Sequence, residues 1–119
     1  MAERAKGLTD LPKKVKVGYV DYKIEDWEPA QADSAQRYGE TDRVRRIVRV
    51  DTTRGPQQSA ETLLHEIIHC VYGMWNLPGD HNKEEKIVTG LASGLATVWR
   101  DSPEIFAWID LNLQAKPAE

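Results

Sequence analysis

The sequence His65-Glu66-Ile67-Ile68-His69 lies within the stretch TLLHEIIHCVY, residues 62–72, around which the rest of the chain is organised. Apolar residues recur around it at helical spacing, which predicts a helix with one buried face. Residues four positions apart lie one above the other on a helix, so both imidazole rings can bind one metal ion. Glu66 can then reach the open coordination position of that ion. The stretch predicts a metal site on the first long helix.

The chemistry of these polar residues favours zinc. Neutral imidazole is a good ligand for Zn²⁺, and the ion lowers the pKa of a bound water to about 7. Glu66 would take that water's proton during attack on a carbonyl and return it to the leaving amine. The pattern fixes only three positions and also occurs in helices that bind nothing. An ordinary core helix, however, has little reason to place His65, Glu66 and His69 within five residues.

Composition limits the possible classes of protein. The 119 residues suffice for one domain, and a net charge of −3 argues against non-specific nucleic-acid binding as the main activity. No apolar run approaches the roughly 18 residues that span a bilayer, and the N-terminus lacks the apolar core of a signal peptide. Cys70 is the only cysteine, which agrees with a reducing compartment and predicts a small buried hydrophobe. We therefore expect a cytoplasmic protein.

Strand patterns precede the helix. Residues 1–13 are polar and predict a flexible arm, followed by a single domain over residues 14–115. Val and Tyr alternate with polar residues over residues 14–24, which predicts one strand with a bulge or twist near Gly18. Residues 38–40 predict a short strand or turn. Residues 45–51 predict a second clear strand, with valines on one face and an arginine on the other.

Three helices are expected after these strands. Ser59 is a plausible N-cap for the first, which should end near Trp75, before Pro78-Gly79. The second should cover residues 84–100, with Gly90 and Gly94 marking a close approach of another backbone, plausibly the metal-binding helix. The third should open at residues 102–104. Apolar stripes predict the buried faces of the last two helices: Ile87, Val88, Leu91, Leu95, Val98 and Trp99 on one, Ile105, Phe106, Ile109 and Leu113 on the other.

A catalytic zinc normally takes three protein ligands, so the two histidines need a third. The candidates are His81, Glu84 and Glu85, because a reversal of the chain after Trp75 would bring each of them near the first helix. Geometry alone mildly favours Glu84, which lies nearer the centre of the apolar stripe. His81 fits better as a residue on the substrate side that helps to polarise a carbonyl oxygen.

The pattern resembles a known family. The strand, Tyr-Gly-Glu, a second strand, TLLHEIIH and EEKIVTGLASGL together resemble the small phage and bacterial zinc metallopeptidases of the ImmA/IrrE-like group, within the gluzincins. The resemblance covers roughly residues 14–100. It implies that Glu85 is the third ligand. We therefore favour Glu85, then Glu84 and then His81, and we expect the glutamate that is not the ligand to be a helix N-terminal acid stabilised by the helix dipole. Thr89 stands where that group often has an asparagine that orients a histidine.

We therefore expect an α+β fold: a minimal zincin-like domain with a small antiparallel sheet of two or three strands packed on three helices. The resemblance further implies zinc-dependent hydrolysis of peptide bonds, with His65, His69 and Glu85 holding the metal and Glu66 as general base. It also implies a peptide or protein substrate added as a strand to a sheet edge, either the strand of residues 45–51 or its neighbour. Two alternatives are a non-catalytic, metal-stabilised binding module and a hydrolase of a non-peptide amide. The oligomeric state is not predicted.

Overall fold

Residues 10–35 and 37–115 are described by the computed structural model, and they form four strands and four α-helices in an α+β fold. A short 3-10 turn at Thr52–Arg54 precedes the second helix. The predicted fold class is confirmed at this level. The elements are β1 (Lys14–Val17), β2 (Val20–Asp26), α1 (Pro29–Ala35), β3 (Gly39–Asp42), β4 (Ile47–Val50), α2 (Pro56–Met74), α3 (His81–Asp101) and α4 (Pro103–Leu113).

The first predicted strand is a hairpin, and the expected bulge is wrong. Val17 pairs with Val20, which leaves Gly18 and Tyr19 as a two-residue turn between β1 and β2. Gly18 has φ +62°, a conformation that glycine adopts without the steric cost that a Cβ would add. The reversal of direction explains why the apolar alternation changes phase at Gly18.

The sheet is mixed and has the order β1-β2-β4-β3, so the expected antiparallel sheet of two or three strands is wrong in these details. β2 pairs with β1 in the antiparallel sense and with β4 in the parallel sense. A parallel pair needs a crossover connection, and here α1 and β3 supply it. β4 lies between β2 and β3, which makes β3 an edge strand.

One face of the sheet packs against α2 and forms the core. The two valines of β4 are fully buried and Arg49 lies on the other face, as the alternation predicted. Arg49 also pairs with Glu40 at 2.7 Å. Cys70 is buried as predicted, and burial raises the pKa of its thiol to about 11. The buried cluster consists of Val17, Tyr22, Ile24, Val48, Val50 and Cys70.

Two helix starts differ from the prediction. α2 begins at Pro56, after Gly55, and Ser59 lies inside the helix with a buried hydroxyl that lacks a hydrogen-bond partner among the described atoms. A proline at the first helical position has a suitable φ and needs no hydrogen bond from its nitrogen, so it starts the helix earlier. α3 begins at His81, because the Asp80 side chain accepts a hydrogen bond from the Lys83 nitrogen at 2.9 Å.

The expected burial of the last two helices is mostly wrong. On α3 only Val88 and Ala92 are buried, and none of the residues of α4, all of which the structure describes, is buried. A Cβ built at Gly90 or Gly94 would have no heavy atom of the described residues within 4 Å, apart from the local helix backbone. The stripe therefore faces outward: Ile87, Leu91, Leu95, Val98, Trp99, Ile105 and Ile109 are 39% to 51% exposed, and Leu113 is 76% exposed.

The predicted N-terminal arm lies mostly outside the described residues, which begin at Asp10. Within residues 10–13, Leu11 packs against the core, and the Lys13 carbonyl accepts a hydrogen bond from the Ile24 nitrogen at 2.9 Å. Among the helices of the described ranges, none combines the length and the apolar character needed to cross a bilayer.

Candidate metal centre

A tight reversal between α2 and α3 places the start of α3 beside the histidines. Asn76 and Gly79 have positive φ values of 49° and 129°, which turn the chain sharply after α2. The Tyr72 hydroxyl donates a hydrogen bond to the Pro78 carbonyl oxygen and so ties the turn to α2. The side chains of the first turns of α3 consequently face those of α2.

Three side chains converge at this place. Glu85 Oε1 lies 2.9 Å from His65 Nε2, and Glu85 Oε2 lies 3.0 Å from His69 Nε2. The two Nε2 atoms lie 3.1 Å apart. Within the described ranges these residues form the one group of three or more candidate ligands, with ligand atoms all within 4.8 Å of one another.

The arrangement fits a tetrahedral zinc ion. Ligand atoms about 2.0–2.1 Å from zinc lie roughly 3.3 Å apart at tetrahedral angles. The two Nε2 atoms lie 3.1 Å apart, one Glu85 oxygen is 2.9 Å from His65 Nε2, and the other is 3.0 Å from His69 Nε2. Two imidazole nitrogens and a carboxylate also suit zinc chemically. The set could provide three protein ligands, which would leave the fourth position for water or substrate.

Glu84 lies on the other side of His69. Its Oε2 atom is 2.7 Å from His69 Nδ1 and 2.7 Å from Arg43 Nη2. Burial tends to raise the pKa of Glu84, but the hydrogen bonds from His69 and Arg43 outweigh burial and lower it. The carboxylate that the sequence geometry favoured as a ligand thus contacts the ring nitrogen that faces away from the cluster. Glu84 lies in the first turn of α3, as predicted for a helix N-terminal acid, and it is also paired with His69 and Arg43.

Glu66, a residue of α2, is buried with its side chain beside the edge strand β3. It is 6% exposed, and its Oε1 accepts a hydrogen bond of 2.7 Å from the Thr41 hydroxyl. Burial raises the pKa of Glu66, and the Thr41 hydrogen bond partly offsets this rise. β3 lies so close that a Cβ on Gly39 would be 3.0 Å from Glu66 Oε2 and 2.6 Å from Thr62 Cγ2.

A cavity of about 510 Å³ opens onto these groups. His65, His69, Glu85 and Glu66 all line it, so a bound molecule can reach the candidate ligands and the candidate base together. His81 also lines the cavity but lies outside the ligand cluster, and its expected place on the substrate side stays a prediction.

Sequence reasoning missed two residues of the site. Thr41 and Arg43 come from β3 and the turn that follows it, 25 and 26 positions before their partners Glu66 and His69. Arg43 precedes Arg45 and Arg46 in a basic run, and no local pattern distinguishes it from them. Only the pairing of β3 with β4 places it over α2.

Comparisons with protein-family models, with curated proteins and with solved structures found no match to this chain. The resemblance to the ImmA/IrrE-like group therefore rests on the sequence patterns alone and stays a prediction.

Proposed function

We propose that this chain is a zinc-dependent peptidase. The observation that carries the proposal is the convergence of His65 Nε2, His69 Nε2 and a Glu85 carboxylate oxygen within 4.8 Å of one another. These residues would hold one zinc ion, in line with the resemblance to the ImmA/IrrE-like group. When bound, the ion would act as a Lewis acid and lower the pKa of a coordinated water.

Glu66 is the proposed general base. Glu66 lines the same cavity as the three candidate ligands but is not one of them. Its carboxylate would therefore be free of the metal and able to accept a proton. A buried carboxylate with a raised pKa holds a proton more readily, so it can accept one from the attacking water and deliver it to the leaving amine nitrogen. The Thr41 hydroxyl fixes the orientation of one oxygen through this transfer.

The proposed substrate is an extended peptide segment. β3 is an edge strand, and Gly39 and Thr41 line the cavity beside the candidate ligands. An edge strand offers backbone donors and acceptors to an added strand, which would bring a peptide bond of that segment towards Glu66. β4 cannot serve this role, because both of its edges are already paired. The sequence suggested either the strand of residues 45–51 or its neighbour as the substrate-binding strand, and we propose the neighbour, β3.

Incubation of the zinc-loaded protein with a mixture of unstructured peptides, followed by mass spectrometry, tests the activity. We expect cleavage products with the native protein and a loss of about 10²–10⁴-fold in rate for Glu66→Gln, with zinc content unchanged. Glu104→Gln, an exposed residue of α4, is the matched control and should cleave at the native rate. Zinc binding without cleavage of any peptide would refute the peptidase and favour the metal-stabilised binding module. Cleavage of other amides but not of peptides would favour the second alternative.

A further inference from the structure

Arg43 reaches the candidate metal centre from the turn between β3 and β4. Its Nη2 atom donates a hydrogen bond of 2.6 Å to the His69 carbonyl oxygen and one of 2.7 Å to Glu84 Oε2. Glu84 Oε2 also lies 2.7 Å from His69 Nδ1. The three residues therefore form a closed ring of contacts that joins the backbone of His69 to its own imidazole.

Gly73 leaves the space that Arg43 occupies. A Cβ at position 73 would lie 2.6 Å from Arg43 Nε and 3.0 Å from both Cδ and Cζ. These distances are too short for carbon and nitrogen atoms in contact, so a side chain here would displace the Arg43 side chain. Arg43 is flexible and half-exposed, so it can swing away without disturbing the fold around it.

We infer that Arg43 and Glu84 are positioning residues that present His69 Nε2 to the metal, and that Gly73 makes their contact possible. The inference rests on the proposed metal centre. Neutral imidazole carries one proton, and a proton on Nδ1 that is donated to Glu84 leaves the lone pair on Nε2. The Nε2 atom is the one that faces His65 and Glu85.

The pairing also fixes the position of Glu84. Its side chain is only 15% exposed, and a carboxylate largely removed from water needs hydrogen-bond partners within the protein. Arg43 is one such partner and, through its second hydrogen bond to the His69 carbonyl, fixes the carboxylate relative to α2. A carboxylate held in this way limits the rotation of a metal-binding imidazole.

Competitive zinc titration of the full chain against a chromophoric chelator tests the inference, with the melting temperature as a second measurement. Gly73→Ala should weaken zinc binding about 10–100-fold, the usual effect of losing a group that orients a metal ligand. Its melting temperature should change little, because the gain from alanine in a helix opposes the loss of the Arg43–Glu84 ion pair. Gly90→Ala is the matched control, since that position faces open space among the described residues, and it should leave the affinity unchanged.

A double-mutant cycle isolates the route through Arg43. Arg43→Ala should weaken zinc binding as much as Gly73→Ala, and the two changes together should weaken it no further. Arg45→Ala, in the same turn but paired with Asp42, should have no effect on the affinity. Additive effects of the Gly73 and Arg43 substitutions would overturn the proposed route.

The tautomer of His69 gives a metal-free measurement. At mildly alkaline pH, nitrogen NMR of the metal-free Glu85→Ala variant, in which His69 Nε2 no longer faces a carboxylate oxygen 3.0 Å away, should place the His69 proton on Nδ1, and adding Glu84→Ala should shift the population towards Nε2. A tautomer unchanged by adding Glu84→Ala, or native zinc affinity in Gly73→Ala and Arg43→Ala, would overturn the positioning role alone. Failure of the native protein to bind zinc would instead refute the metal centre and the proposed function with it.

Discussion

The Thr41 hydroxyl donates hydrogen bonds to Glu66 at two atoms, to Oε1 at 2.7 Å and to the backbone carbonyl oxygen at 3.2 Å. These two hydrogen bonds join the edge strand β3 to α2, the helix that carries His65 and His69. They also place the strand proposed to hold the substrate beside the group proposed to move the proton.

Replacement of Thr41 by valine should shift the pH dependence of hydrolysis. The hydrogen bond from Thr41 lowers the pKa of Glu66, so its removal should raise that pKa further. A general base works only when it is deprotonated, and the acid limb of the pH profile of kcat/KM should therefore move to higher pH. Thr97→Val, on the exposed side of α3, is the control. An acid limb at the native pH in Thr41→Val would show that Glu66 is not the group that titrates.

The candidate ligands on α2 could be predicted because their relation is local. Helical geometry alone puts His65 and His69 on one face, and the structure places their Nε2 atoms 3.1 Å apart. The choice between Glu84 and Glu85 depends on how the chain turns at Asn76 and Gly79, which residue spacing does not encode. The resemblance to the ImmA/IrrE-like group ranked Glu85 first, and the structure places Glu85 beside both Nε2 atoms.

The outward stripe of α3 and α4 shows a different limit. Apolar periodicity predicts which face of a helix is hydrophobic, and it assumes that another element lies within reach of that face. Val88 and Ala92 meet α2 and are buried, but the flanking Leu91 and Leu95 are 49% and 39% exposed. α4 starts two residues after α3 ends and contacts α3, with Phe106 stacked on Trp99 at 4.0 Å. Apolar periodicity identifies the hydrophobic face of each helix, but it does not predict whether another element buries that face.

The stability of the Glu66→Gln variant relative to the native protein should be greater at neutral pH than at acidic pH. Burial raises the folded-state pKa of Glu66 above its ordinary value of 4.5, so the native protein loses stability as the pH rises from below 4.5 through the folded pKa. Glutamine has no charge to bury and does not suffer this loss. Urea unfolding of both proteins with a metal chelator present should show a stability difference in favour of the variant that grows across this window and then levels off. A constant difference at all pH values would contradict the proposed effect of burial.

The contact between β3 and α2 should be sensitive to a single methyl group. Gly39→Ala would put a Cβ 2.6 Å from Thr62 Cγ2 and 3.0 Å from the Arg49 carbonyl oxygen, and the backbone atom cannot move aside cheaply. We expect a loss of about 1–3 kcal/mol in the free energy of unfolding. Gly94→Ala, which faces open space among the described residues, should instead gain about 1 kcal/mol, because alanine favours a helix interior. Equal effects of the two substitutions in urea unfolding would contradict the close packing of β3.

We propose that His65, His69 and Glu85 hold one zinc ion. An anomalous difference map, recorded at the zinc absorption edge from crystals grown with an equimolar amount of zinc, would show the ion and its ligands. We predict one strong peak per chain, within about 2.0–2.2 Å of both Nε2 atoms and of a Glu85 carboxylate oxygen. A peak bound instead by Glu84 or His81, or no peak between α2 and α3, would contradict it.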